Sequence, residues 1–235
     1  MEIITKKNDK FVFKTNIDES LANAIRRYVN QIQIVAIDEI EIVKNDSPLY
    51  DETVAHRLGL IPLKQNAKKE GKLKLDVQEE GFVYSGSLKG DFEVVYEKMP
   101  ITLLSKGQEI EIVAYAKMGK GKEHAKFSPG IMSYRKVFEI NLDGELVEKL
   151  KTIVPNIKME IKGDKVIIID DKENEVCDIC EGLAEKYEKK VEIKPLKEVV
   201  ISLESFGQID AKSIFSKSIE ALEKDLAELE KKLGK

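Results

Sequence analysis

The chain has 235 residues, 42% hydrophobic and 35% charged, with a formal net charge of −4, which argues against a chain whose own task is gripping DNA through a basic face. At this length about two-thirds or more of the unfolded surface can be buried, enough for a real core in one large domain or two to three small ones. The longest unbroken apolar run is the five residues 112–116, against the roughly 20 needed by a transmembrane helix, so a cytoplasmic protein without a membrane segment is expected.

In chain order, Phe11 and Phe13 alternate after the polar turn Lys7-Asn8-Asp9-Lys10, which predicts a hairpin over residues 1–15. Over residues 17–32, Leu21, Ile25, Tyr28 and Ile32 recur at steps of three or four, the spacing of an amphipathic helix that Asn16 or Asp18 can cap. Arg26 and Arg27 lie off that stripe. In the next strand Val35 and Ile37 share one parity, and Ile40 and Ile42 the other. A slip of one residue predicts a bulge near Asp38 and Glu39. Asn45-Asp46-Ser47-Pro48 turns the chain, and residues 51–58 make two helical turns stopped by Gly59 and Pro62.

Residues 65–74 read as a polar, basic loop. Strands are expected at 82–87, 92–96 and 110–118, the last with Ile110, Ile112, Ala114, Ala116 and Met118 on one face. A basic, glycine-containing loop at 119–130 precedes a strand at 134–140. After Asp143-Gly144 a short helix covers 146–153, and strands at 159–161 and 166–169 flank a Gly163-Asp164 hairpin turn. A helix follows at 177–189, then separate strands at 191–193 and 199–203. In the last helix, from about residue 211 to 233, Phe215, Ile219, Leu222, Leu226, Leu229 and Leu233 repeat at alternating steps of four and three. That is a heptad seam, suited to packing on another helix.

Cys177-Asp178-Ile179-Cys180 carries the sharpest chemistry. A four-iron cluster run has the order C-x2-C-x2-C-x3-C, but counting onward reaches Leu183 and Tyr187, and the chain holds only two cysteines. Cys177 and Cys180 are therefore an incomplete cluster motif, and no metal or other cofactor is expected. Zinc would need two more ligands, and His56 and His124 lie far off in sequence. Asp170-Asp171 is weighed as a magnesium site and read as a solvated turn. The loop 117–126 lacks the G-x-x-x-x-G-K-[ST] order of a phosphate loop. No nucleophile signature accompanies His56-Arg57, so no catalytic residue is assigned. Only four of the 39 basic residues are arginine, and two of those are adjacent, Arg26 and Arg27. The planar arginine fork suits pairing at an interface better than the lysine ammonium does.

The run ANAIRRY (22–28), the strand AIDEIEI (36–42) and the stretch NDSPLYDETVAHRLGLIPL (45–63) together resemble the D subunits of archaeal DNA-directed RNA polymerase. These are relatives of the bacterial alpha subunit N-terminal domain and of the third-largest subunit of eukaryotic RNA polymerase II. The resemblance continues at GFVYSGSLKGD (81–91), GKEHAKFSPG (121–130) and SLESFGQI (202–209). It implies an α+β fold. Residues 1–44 with 195–235 would form an alpha-like dimerisation domain of a sheet and long packing helices. Residues 45–142 would be an inserted mainly-β domain, and 143–194 a ferredoxin-like insertion lacking a full cluster motif.

The function implied is non-catalytic assembly in transcription. A heterodimer with the small alpha-like subunit L would form through Leu21, Ile25, Tyr28 and Ile32 on one helix and Phe215, Ile219, Leu222, Leu226, Leu229 and Leu233 on the other. His56 and Arg57 would meet the second-largest subunit of the polymerase, and Arg26 and Arg27 a large subunit. The small zinc-binding subunits N and P would join the same platform, and DNA would be met only through the whole complex. The second reading kept open is a metal, iron–sulfur or redox protein built on the CxxC region.

Overall fold

The computed structural model describes residues 1–155, 157, 159–162, 165–170 and 176–234. In chain order its first elements are β1 (Glu2–Lys6), β2 (Lys10–Thr15), α1 (Glu19–Tyr28), β3 (Gln33–Asn45), α2 (Asp51–Gly59) and β4 (Glu70–Val77). Next come β5 (Gly81–Tyr84), β6 (Lys89–Gly90), β7 (Pro100–Leu104), β8 (Ile110–Lys120) and β9 (Gly130–Asp143). The last are α3 (Val147–Ile153), β10 (Met159–Lys162), β11 (Lys165–Asp170), α4 (Cys177–Lys186), β12 (Glu192–Ser205) and α5 (Ala211–Leu233). They fall into two compact units. One joins Met1–Ala24 to Met132–Leu203, the other Ile25–Ile131 to Glu204–Lys235. The architecture is mixed helix and sheet, and no helix among the described residues is long and apolar enough to cross a membrane.

The first unit is built on a six-stranded sheet in the order β1-β2-β12-β9-β11-β10. The expected hairpin forms, with β1 antiparallel to β2. Strand β11 runs antiparallel to both β9 and β10, and pairs Ile168 with Ile140 and Val166 with Leu142 across β9. Helices α3 and α4 cover those residues: Val147 and Leu150 from one, Cys180, Leu183 and Ala184 from the other. The helical spacing of three and four puts each set on one face. The expected strands 191–193 and 199–203 are one continuous β12, which also runs through the anticipated domain boundary at 194/195. Pro195, which cannot donate to a ladder, sits near the strand's start, where a missing donor is tolerated. The expected turn at Gly163-Asp164 lies outside the described residues.

The second unit holds a four-stranded sheet in the order β3-β8-β4-β6 and a two-stranded sheet of β5 with β7. The predicted bulge is present. The β3–β8 register slips between Ile37 and Glu39, leaving Asp38 unpaired. Before the slip both faces of β3 are buried, from Ile34 to Ile37; after it, burial alternates. In β8, Ile110, Ile112, Ala114 and Ala116 face the core, where Leu73 and Leu75 of β4 and Val54 and Leu58 of α2 meet them.

Three expectations in this unit are corrected. Residues 70–74 are not loop but the start of β4; Lys72 and Lys74 mask an alternation whose other members, Leu73 and Leu75, are fully buried. Residues 92–96 form no strand, and Val94 makes only an isolated bridge to Leu63. The run 100–104, passed over, is β7. The motif SLKGD has a packing reason: a Cβ on Gly90 would collide with the Lys72 carbonyl oxygen. Beside it the Asp91 carboxylate accepts from the Lys72 amide at 2.8 Å and pairs with Lys68 at 2.5 Å.

Candidate functional site

Helix α5 spans the full predicted length, 23 residues, or roughly 35 Å at 1.5 Å per residue. Asp210 caps it by accepting from the Ser213 amide at 2.9 Å, and hydrogen bonds from Ser213 hold its carboxyl below the usual range despite partial burial. The helix packs on its own unit through Ala211, Ile214 and Ser218, all fully buried, and Tyr28 Oη donates to Asp225 Oδ2 at 2.9 Å. That bond raises the Tyr28 hydroxyl above its ordinary value.

The heptad seam is not this inward face. Phe215 and Ile219 follow the buried Ile214 and Ser218 by one position, a rotation of about 100°, and Leu222 and Leu226 continue their stripe. Phe215, Ile219 and Leu222 are half-buried. Beyond them Leu226, Leu229 and Leu233 are 54%, 50% and 77% exposed. The helix expected over 17–32 ends at Tyr28, a 3-10 turn follows over Val29–Gln31, and the expected set divides: Ile25 and, past that turn, Ile32 are buried within the chain, Tyr28 is half-buried, and Leu21 is 44% exposed.

The four candidate cationic positions divide as well. Arg26 and Arg27 are exposed in the last turn of α1, where cations suit the negative end of the helix dipole. Arg57 donates from Nη1 to the Ile101 carbonyl at 2.8 Å and so ties α2 to β7. His56 is exposed, and it lines a cleft of about 180 Å³ with Ile37, Asp38, Leu60, His124 and Lys126. Asp38, freed by the bulge, pairs with Lys117 and, at 2.5 Å, with Lys126. Burial pushes the Asp38 carboxyl up, but the two lysines outweigh it and hold it below the usual carboxylate range. Part of the basic charge in the 117–126 loop is therefore spent on the chain's own carboxylate.

The CxxC pair sits on the first turn of α4. Asp170, at the end of β11, is 1% exposed, which corrects the expectation of a solvated turn there; Asp171 lies outside the described residues. The Asp170 carboxylate accepts from Arg135 Nη2 at 3.0 Å, from the Val176 amide at 2.9 Å and from the Cys177 thiol at 3.3 Å. Arg135 Nη1 also reaches the Asp170 carbonyl at 3.2 Å. Burial, aided by this carboxylate, pushes the Cys177 thiol up to about 12 and the buried Cys180 thiol to about 11. Metal ligation and thiol exchange both need the thiolate, and among the described residues no group of three or more His, Cys, Asp or Glu side chains is placed to hold a metal ion. This geometry gives the metal and redox reading no support. Sequence reasoning missed the role of Asp170; the available signal was Arg135, a lone arginine in a strand of a lysine-rich chain.

Residues 32–139 match the family described as the RNA polymerase Rpb3/RpoA insert domain. The chain is 33% identical over 187 residues to "DNA-directed RNA polymerase subunit Rpo3" of Thermococcus kodakarensis, covering 72% of each chain. With the protein of the same name from Methanosphaera stadtmanae it shares 31% identity over 221 residues, 81% of this chain and 82% of that one. With that of Pyrococcus furiosus it shares 40% over 152 residues, 57% and 58% of the two chains.

Proposed function

This chain belongs to the DNA-directed RNA polymerase subunit Rpo3 family, and from that premise we propose that it is a non-catalytic assembly subunit of an archaeal RNA polymerase. It pairs with the small alpha-like subunit L, and the pair forms the platform on which the large catalytic subunits assemble. The observation that carries this reading is the outer half of α5. Leu226, Leu229 and Leu233 stand at least half exposed on one stripe of a regular helix. Covering a leucine is worth about 1.5–3 kcal/mol when complete, so an uncovered stripe of three marks a surface made for a second chain. Leu21 and the half-buried Phe215, Ile219 and Leu222 complete the subunit L face, with Ile25, Tyr28 and Ile32 supporting it from within.

Arg26 and Arg27 face a large subunit and His56 the second-largest one, while Arg57 serves the latter face indirectly by fixing α2. Subunits N and P join the same platform, DNA is met only through the assembled enzyme, and the setting is the cytoplasm. Residues 1–44 with 195–235 act as the dimerisation domain and 45–142 as the inserted domain. The ferredoxin-like reading of the remainder, whose outer strands β9 and β12 extend past 143–194, is supported by the order β-α-β-β-α-β from β9 to β12. It is supported also by β11, which lies between β9 and β10 and antiparallel to both, a split βαβ arrangement.

The test is size-exclusion chromatography with light scattering. Expressed alone, the chain should self-associate or aggregate; coexpressed with subunit L, it should elute as a one-to-one complex. A well-behaved monomer at micromolar concentration would return the seam to this chain's own packing.

A further inference from the structure

The seam on α5 has two flanks, and they differ in charge. One flank carries the buried Ser218, Asp225, which Tyr28 holds, and the exposed Lys232, so its two charges cancel. The other turns toward solvent. Its positions directly follow Phe215, Leu222 and Leu229, and they are Ser216, Glu223 and Glu230, all exposed.

Glu223 and Glu230 stand one heptad apart and are unlike the other glutamates of this half of the helix. Glu220 has Lys224 four residues on, and Glu228 has Lys232, the orientation in which a helical ion pair is favourable. Three and four residues from Glu223 lie Ile219, Glu220, Leu226 and Ala227; from Glu230 they are Leu226, Ala227, Leu233 and Gly234. The helix therefore supplies no cation to either. In paired helices the positions flanking the seam set partner choice through charge.

We propose that Glu223 and Glu230 select the occupant of the α5 seam: a helix with an aliphatic seam flanked by Lys or Arg at heptad spacing. This rests on the reading of α5 as a subunit-pairing helix and adds the chemistry of the partner. The same two residues weaken, without abolishing, pairing with a second copy of this chain, so the isolated chain still associates through its exposed leucines but less tightly than with a Lys-flanked helix. Two such helices laid antiparallel on one seam would bring four glutamates onto facing flanks, and like charges opposed at an interface suppress a wrong partner. Salt screens that repulsion, so self-association of the isolated chain rises with ionic strength.

The test uses the full chain and two labelled four-heptad peptides with one Ile/Leu seam, differing only in Lys or Glu at the flanking positions. Fluorescence anisotropy at about 50 mM NaCl should show the Lys-flanked peptide binding about tenfold tighter or more, and the gap should shrink at about 500 mM. In E223K/E230K the preference should reverse. Equal affinities, an unchanged preference in the variant, or failure of both peptides to bind while the subunit L complex forms normally would each overturn this inference alone. Failure of the complex itself would remove the reading beneath it.

Discussion

The pocket around Asp170 and the outer half of α5 resolve the same conflict in opposite ways. At Asp170 a charge has gone inside, and three groups of the same chain answer it: the Arg135 guanidinium, the Val176 amide and the Cys177 thiol. On α5 three leucines have stayed outside, and nothing among the described residues covers them. A buried charge without partners costs several kcal/mol at once, so the chain must supply them itself. An exposed leucine costs less and can wait for a second molecule. The completeness of one region and the incompleteness of the other thus separate an element that holds this chain together from one left open for the pairing proposed above.

The sharpest way to break that contrast is Asp170→Ala. It removes the carboxylate shared by Arg135 Nη2, the Val176 amide and the Cys177 thiol in a buried setting and should cost about 3–5 kcal/mol. The readout is urea unfolding by circular dichroism, with hydrogen exchange on β9 and α4 locating the loss; a change under about 1 kcal/mol would mean the carboxylate is not what fastens these elements. Leu226→Asp is the complementary experiment. Because the side chain is half exposed, the isolated chain should keep its stability within about 0.5 kcal/mol. The complex with the small alpha-like subunit should vanish, since it would bury an unpaired carboxylate. Collapse of the variant's own fold would show the seam to be internal.

A smaller effect is expected from Arg26→Ala with Arg27→Ala. Heterodimer formation should survive, while recruitment of the large subunit in a reconstitution assay weakens by about 1–2 kcal/mol. Unchanged recruitment would make the pair a solvated helix end. The smallest effect concerns Asp38, whose folded carboxyl is held below the ordinary value by Lys117 and Lys126. Its stabilisation is complete above the unfolded value, near pH 4, and fades as pH falls through the lower folded value. Asp38→Asn should remove about 1 kcal/mol at neutral pH and flatten the fall in stability on acidification. Parallel pH profiles of the two proteins would discharge the two lysines from that role.

Much of this contrast was legible in the sequence, unevenly and for physical reasons. The α5 seam could be read because one period persists over the whole helix, and so could the bulge at Asp38, because a slip in parity leaves a visible mark. Which seam residues stay exposed could not be read. Inward and outward stripes differ by one position, and Ala211, Ile214 and Ser218 look no more like core than Phe215 or Ile219. The short strand β7 and the start of β4 were lost because few residues and interleaved lysines dilute alternation. Asp170 was hidden for a different reason: its burial depends on Arg135, 35 residues earlier in sequence, and no local pattern carries that pairing. The same holds for Arg57, whose hydrogen bond spans 44 residues.

The strand order β1-β2-β12 has a consequence for how the chain is made. The β1–β2 hairpin leaves the ribosome well before the neighbour that completes its sheet, which begins only at Glu192. At synthesis rates of about 5–20 residues per second, β2 waits on the order of 10–35 seconds with one edge unpaired. Closing so long a loop is slow, and an open strand edge invites the wrong neighbour meanwhile. Helix α5 emerges directly after β12, so the sheet and the seam become available almost together. Folding of the first unit and exposure of the α5 seam are thereby placed in the same short interval of translation.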